Sequence, residues 1–254
     1  MPELHLLSIL LVLTRVTAFI AFFPLFGRRQ IPVMVKAGLA LALTFFWYDQ
    51  VPDIDLQPHD LNIVSAILLL GREFGIGFIL ALTLGFVFIP ARIAGAYVGQ
   101  EIGLSLASIA DPDSTDNSTA VTLVFESLAV ILFFTLQLHH FAIIFLHCSM
   151  THLAHQIDLF ALPTEDLARL IDRLPEYGLL IVAPVGICMF LVTISLALLN
   201  KAAPTLNLFS IGLPLRSGLG LAALLIFMPA IIQALTIFVQ HYEYDMEQFL
   251  GFFQ

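Results

Sequence analysis

The stretch LNIVSAILLLGREFGIGFILALTLGFVFI, residues 61–89, decides the class of fold. It is longer than the roughly 20 apolar residues that a helix needs to cross a bilayer. Its only charges are the adjacent pair Arg72 and Glu73. The surplus length allows the helix to tilt or to run past the hydrocarbon. Outward from it the same texture recurs at Leu4 to Phe26, Ile31 to Tyr48, Ala120 to Cys148, Leu179 to Leu199 and Leu213 to Val239. Pro184 and Pro229 fall inside the last two, which is tolerated where neighbouring helices satisfy the freed carbonyls. The expected fold is all-α: a polytopic membrane protein of helical hairpins with about six apolar segments.

Composition closes off the other classes. The 254 residues are 59% hydrophobic and 11% charged. The mean hydropathy is +0.98. An average soluble domain carries about a quarter charged residues. A soluble enzyme, a disordered chain and a disulfide scaffold are all excluded. The net charge of −9 excludes a nucleic-acid-binding domain. A membrane protein remains, or a subunit covered by similar subunits. Cys148 and Cys188 read as buried small hydrophobes. The N-terminus has Glu3 where a signal peptide is basic, and Arg15 interrupts its apolar run, so a retained first helix is expected. Arg28, Arg29 and Lys201 place their loops in the cytoplasm by the positive-inside rule, giving six spans with both termini outside.

Punctuation refines this outline. Pro90 can open a helix at its first turn, where its missing N–H costs nothing. That helix is expected to reach about Ala110 and stop at Asp111-Pro112. The polar stretch DPDSTDNST follows, and Asn117, Ser118 or Thr119 can cap the next helix. The chain reads as one membrane domain over 1–254. N-terminal hairpins occupy 1–120, with a loop near 102–118, and C-terminal hairpins occupy 121–254.

The informative residues are those that break the apolar pattern. Arg15, Lys36, Arg72, Glu73, Arg92, Glu101 and Glu126 lie in or beside apolar segments. Each costs about 2.5–3.5 kcal/mol at a helix centre on insertion scales, so such residues face protein or water. They can be structural pairs between helices, the lining of an aqueous path, or a proton relay. Arg72 and Glu73 diverge by about 100° on a helix and need different partners. Gly95, Gly99 and Gly103 recur every fourth residue and flatten one helix face for close packing. His139, His140, His147, His152 and His155 cluster, and they raise a haem or metal reading. Their spacing matches no recognised ligand set, so no metal or cofactor is expected. Phosphate-loop, nucleophile-elbow and zinc-protease motifs are missing from the sequence, so a non-enzymatic protein is expected. The rival is a small-molecule or ion transporter that uses Glu101, Glu126 and the histidines.

Two stretches carry a resemblance. GQEIGLSLASIADP (Gly99 to Pro112) and LALLNKAAPTLNLFSIGLPL (Leu196 to Leu215) are similar to the signatures of the FliR/SctT family of type III export-apparatus membrane proteins. The second is the more specific, through Asn200, Lys201, Pro204, Asn207, Phe209, Gly212 and Pro214, and it favours the flagellar branch. Arg15 and the Pro32, Lys36 step match in order. Gln100-Glu101, Leu138 and Thr205 depart from the family pattern. The resemblance implies a single-copy subunit that joins FliP and FliQ in a helical ring around a channel, with FlhA and FlhB beneath. That export gate sits in the bacterial inner membrane at the flagellar basal body and passes unfolded flagellar subunits. By the same resemblance Ile109, Ala110, Asp111, Pro112, Asp113 and Ser114 match a plug that projects into the closed channel. The glycine face then serves stacking of hairpins in the ring, and the charges find partners across subunits.

Overall fold

The computed structural model describes residues 2–27, 31–48, 63–104, 119–151, 164–203 and 208–251. Among them the chain is helical. Helices α1 (Pro2–Phe22), α2 (Pro24–Gly27), α3 (Val33–Tyr48) and α4 (Ile63–Gly85) come first. A single 3-10 turn, Phe86–Phe88, leads into α5 (Ile89–Ile102). Then follow α6 (Ala120–Thr135), α7 (Leu138–Thr151), α8 (Thr164–Ala202) and α9 (Leu208–Gly251). Pro24 ends α1, because a residue that precedes proline is driven out of the helical region. Pro90 sits in the first turn of α5, as its missing donor requires. Thr119 caps α6, accepting a hydrogen bond from the Thr122 amide at 3.3 Å.

The six-span expectation needs correction. Among the described residues three helices are long and apolar enough to cross a membrane: Ile63–Ile102, Ala168–Ala202 and Ile211–Glu247. The segment from Ala120 to Cys148 is broken into α6 and α7, and counts as a fourth only if the broken pair is one span. The break falls at Gln137, a non-glycine residue in the left-handed region with φ 62°. Leu6–Phe22 and Val33–Tyr48 are shorter apolar helices. At 1.5 Å per residue α3 reaches about 24 Å, short of the hydrocarbon thickness of about 30 Å, whereas the whole of α1, Pro2–Phe22, reaches about 31 Å. The cysteines also differ from expectation: Cys148 and Cys188 are half-buried rather than buried.

The chain forms two compact units that do not follow chain order. One comprises Met1–Phe86, Gln137–Arg169 and Tyr244–Gln254. In it α1 packs chiefly on α4 and also on α3. Val16, Ala18 and Ile20 of α1, Trp47 of α3 and Ala81 and Leu84 of α4 are buried at its centre. Phe22 closes one side edge-on to Phe78, with ring centroids 4.7 Å apart. Gly77 sets how near α1 and α4 come. A Cβ built there runs into the Arg15 carbonyl oxygen and lies 3.0 Å from Ala18 Cβ.

The other unit comprises Val87–Leu136 and Leu170–Glu243. Here α5 and α6 pair closely. Ala91, Ala94, Val98, Ile102 and Phe125 are buried between them and the surrounding helices. Gly178 of α8 sits on Ile93 and the Pro90 carbonyl, and Gly220 of α9 sits on Ile102 and Met189. Glycine thus recurs wherever α5 meets a neighbour, because only a missing side chain admits that approach.

Gly77→Ala forces α1 away from α4, whereas Gly71→Ala enters open space. Overpacking costs about 1–3 kcal/mol, so the first substitution should lower the unfolding midpoint of the purified protein by about 2–10 °C. The second should leave it unchanged or raise it. A Gly77→Ala midpoint equal to that of the parent protein removes the close-approach argument.

Candidate functional site

The C-terminal end of α5 is finished with unusual completeness. The last four carbonyls of a helix have no partner within it. Gly103 adopts φ +87°, where glycine is favoured, and reverses the chain. Its amide donates to the Gln100 carbonyl at 3.0 Å, and the Leu104 amide donates to the Gly99 carbonyl at 3.0 Å. This is the paired closure of a Schellman turn. Two side chains of α9 take the remaining carbonyls. Arg216 Nε donates to the Glu101 carbonyl at 2.5 Å, and Ser217 Oγ donates to the Ile102 carbonyl at 2.9 Å. Arg216 also holds the Glu101 carboxylate through Nη2 at 2.5 Å. A cation at the negative end of a helix dipole adds to this.

The start of α6 is fixed against the same helix. A Cβ on Gly99 runs into the Thr119 hydroxyl and lies 3.0 Å from Thr119 Cβ. A Cβ on Gly95 lies 2.7 Å from the Thr122 Cα. The cap residue of α6 therefore rests directly on α5. The result is a closely packed two-helix stem whose ends, Leu104 and Thr119, border residues 105–118. The plug-like residues Ile109, Ala110, Asp111, Pro112, Asp113 and Ser114 lie outside the described residues.

Three expectations change here. Gly103 ends α5 at Ile102, short of the expected Ala110, and it also packs closely, since a Cβ there lies 3.0 Å from Leu213 Cδ1. Gly95 and Gly99 pack against α6 of this same chain, so their flat face is filled without a neighbouring subunit. The charges also find partners inside the chain. Arg15 Nε donates to Glu73 Oε2 at 2.6 Å, and Arg92 Nε donates to Glu126 Oε1 at 2.6 Å. With Glu101 and Arg216 this makes three pairs.

The pairs differ in burial. Arg15 and Glu73 are buried, with side-chain exposures of 2% and 9%. Arg15 Nη1 also donates to the Ser149 carbonyl and lies 3.5 Å from Ser149 Oγ, so one guanidinium joins α1, α4 and α7. Glu73 turns inward and the adjacent Arg72 is half-buried, as their divergence on the helix demands. Arg92 is not buried: its side chain is 63% exposed, while Glu126 is 12% exposed. Glu101 is half-buried.

The histidines divide. His147 Nδ1 accepts from Trp47 Nε1 at 3.1 Å, and the His139 and His140 rings lie 4.2 Å apart. His152 and His155 lie outside the described residues. Among the signature residues, Asn200, Lys201 and Pro214 are exposed and Gly212 is half-buried. Phe209 lies in α9. Pro204 and Asn207 lie outside the described residues. Sequence reasoning missed Arg216, Ser217, Ser149 and Trp47 as partners. Arg216 had a readable signal: it is a cation within an apolar helix, and such a residue needs an acceptor.

Comparison with known proteins gives a consistent result. A family model described as bacterial export proteins, family 1, matches residues 6–242. Flagellar biosynthetic protein FliR of Escherichia coli (strain K12) is 30% identical over 224 residues, covering 86% of this chain and 83% of the relative. That of Bacillus subtilis (strain 168) is 26% identical, covering 88% and 87%. That of Aquifex aeolicus (strain VF5) is 27% identical over 254 residues, covering 99% and 97%.

Glu73→Leu leaves the Arg15 charge buried without its carboxylate, a change that typically costs about 3–5 kcal/mol. The double variant Arg15→Met, Glu73→Leu should recover most of that loss in a denaturation experiment. Additive losses in the two single variants and the double variant would show that the pair is uncoupled.

Proposed function

The chain belongs to the bacterial export proteins, family 1, and to the FliR/SctT family, and from that premise we propose that it is a channel subunit of the flagellar protein export gate. It joins FliP and FliQ homologues in the inner membrane, in single copy, with FlhA and FlhB homologues on the cytoplasmic side. It passes unfolded flagellar subunits outward and does no covalent chemistry of its own. The observation that carries this reading is the α5–α6 stem. Every terminal carbonyl of α5 is satisfied, and the α6 cap rests on Gly99. A stem so fixed gives the segment between its two helices a defined mount. A stopper at Ile109 to Ser114 needs such a mount.

The broad apolar exposure of the long helices supports membership of an assembly in the membrane. Ile187 and Phe190 of α8 and Leu225 and Ile226 of α9 are all more than 60% exposed. A soluble monomer does not expose such a surface. The transporter alternative needs carboxylates that can release and rebind protons. Glu101 and Glu126 are instead each engaged by an arginine of a neighbouring helix, Arg216 and Arg92, so the packing of the chain's own helices accounts for both.

Affinity purification through a tag on this chain, from cells that also make the FliP and FliQ homologues, tests the proposal. A complex containing all three is expected, and a chain that purifies alone and moves a solute in liposomes refutes it. Deleting Asp111 to Asp116 should leave that complex intact and raise ion leakage through it in vesicles. Normal assembly with unchanged leakage removes the stopper role.

A further inference from the structure

The exposed side of α5 differs from that of the other long helices. Its inward face is Ala91, Ala94, Gly95, Val98, Gly99 and Ile102, all buried. Opposite them Arg92, Ala96 and Gln100 stand four residues apart and are all exposed. Positions with that spacing share one face of a helix. The stripe contains no branched aliphatic side chain. The only large apolar residue that α5 exposes is Tyr97, at 36%. Helices α8 and α9 do the reverse and expose Ile187, Phe190, Leu191, Leu225 and Ile226.

Resting on the export reading above, we infer that the Arg92–Ala96–Gln100 stripe faces the water of the conduit and borders the unfolded polypeptide in transit. Lipid does not suit it. A guanidinium 63% exposed toward hydrocarbon carries an insertion penalty, and the donors that Glu126 leaves unused have no acceptor there. A sister helix suits it less well than water. A protein interface in the membrane is held by close apolar packing, by small residues that let backbones meet, or by polar side chains that hydrogen-bond across helices in fixed geometry. Arg92 and Gln100 stand on either side of Ala96 and keep a neighbouring backbone away. Water satisfies both polar groups at any geometry.

The same residues suit an unfolded passenger of varied sequence. Ala96 offers little apolar area for a passing segment to adhere to. Arg92 is offset by Glu126 at 2.6 Å, so the lining holds neither an acidic nor a basic stretch of the passenger strongly. The stripe ends at Gln100, in the last turn of α5, whose neighbour Glu101 is held by Arg216. The lining is thereby set on the best-anchored end of the helix.

Single cysteines at Ala96 and Gln100 test this in the assembled complex in membrane vesicles, with Cys148 and Cys188 changed to serine. Val98→Cys is the buried control and Ile226→Cys the apolar exposed control. A water-soluble, membrane-impermeant thiol reagent reacts with thiolate, which requires water. Ala96→Cys and Gln100→Cys should react at least about tenfold faster than either control, the factor that one unit of thiol pKa represents. Rates equal to Ile226→Cys place the stripe in lipid and overturn the inference. Protection of both sites, with disulfide capture of a sister subunit instead, overturns it in favour of a protein interface. Retention of the FliP and FliQ homologues is measured on the same samples. Slow labelling in an intact complex rejects the lining alone, whereas failure to form the complex rejects the export reading and the lining together.

Discussion

Four backbone oxygens at the end of one helix govern how the second unit is built. Carbonyls 99 to 102 of α5 have no partner within their own helix, and in an apolar setting each unsatisfied one is costly. The chain resolves two of them with Gly103, which alone reaches φ +87° without strain, and two with α9, through Arg216 and Ser217. This solution fixes where α5 stops and which helix lies beside that end. It also gives Glu101 a fixed counter-charge. Substituting Gly99 or Gly103 therefore disturbs more than local packing, because the residues that follow each depend on that turn.

Much of this was legible in the sequence. Apolar length gave the all-α membrane class. Pro90 marked the start of α5, and the Thr119 alternative marked the cap of α6, both through backbone chemistry that acts within a few residues. The signature around Asn200 and Lys201 led to the family that the comparisons then showed. The end of α5 was misplaced because Asp111-Pro112 was read as its stop, whereas Gly103 already ends the helix at φ +87°. A sequence does not show which of several glycines takes the left-handed backbone angle that terminates a helix. The break at Gln137 was also hidden. A glutamine at φ 62° is rare, and no proline or glycine marks the spot.

The charges teach a different lesson. Arg15 and Glu73 are 58 residues apart, and Glu101 and Arg216 are 115 apart. Helical periodicity reports which face of a helix is polar, but not which helix lies opposite. The resemblance implied partners across subunits, and the structure supplies them within the chain for these pairs and for Arg92 with Glu126. The outcome also divides the charges by role. A pair with both members buried, such as Arg15 with Glu73, ties helices together. A pair with one member open, such as Arg92 with Glu126, marks a surface that something polar must meet.

The account as a whole stands on the α5–α6 stem bordering a passage for protein rather than lying in lipid. Photo-crosslinking from position 100, with an exported flagellar subunit stalled in transit, addresses this most directly. An adduct that contains the stalled polypeptide is the predicted result. Adducts confined to lipid or to sister subunits, with the passenger demonstrably in the gate, would contradict the account.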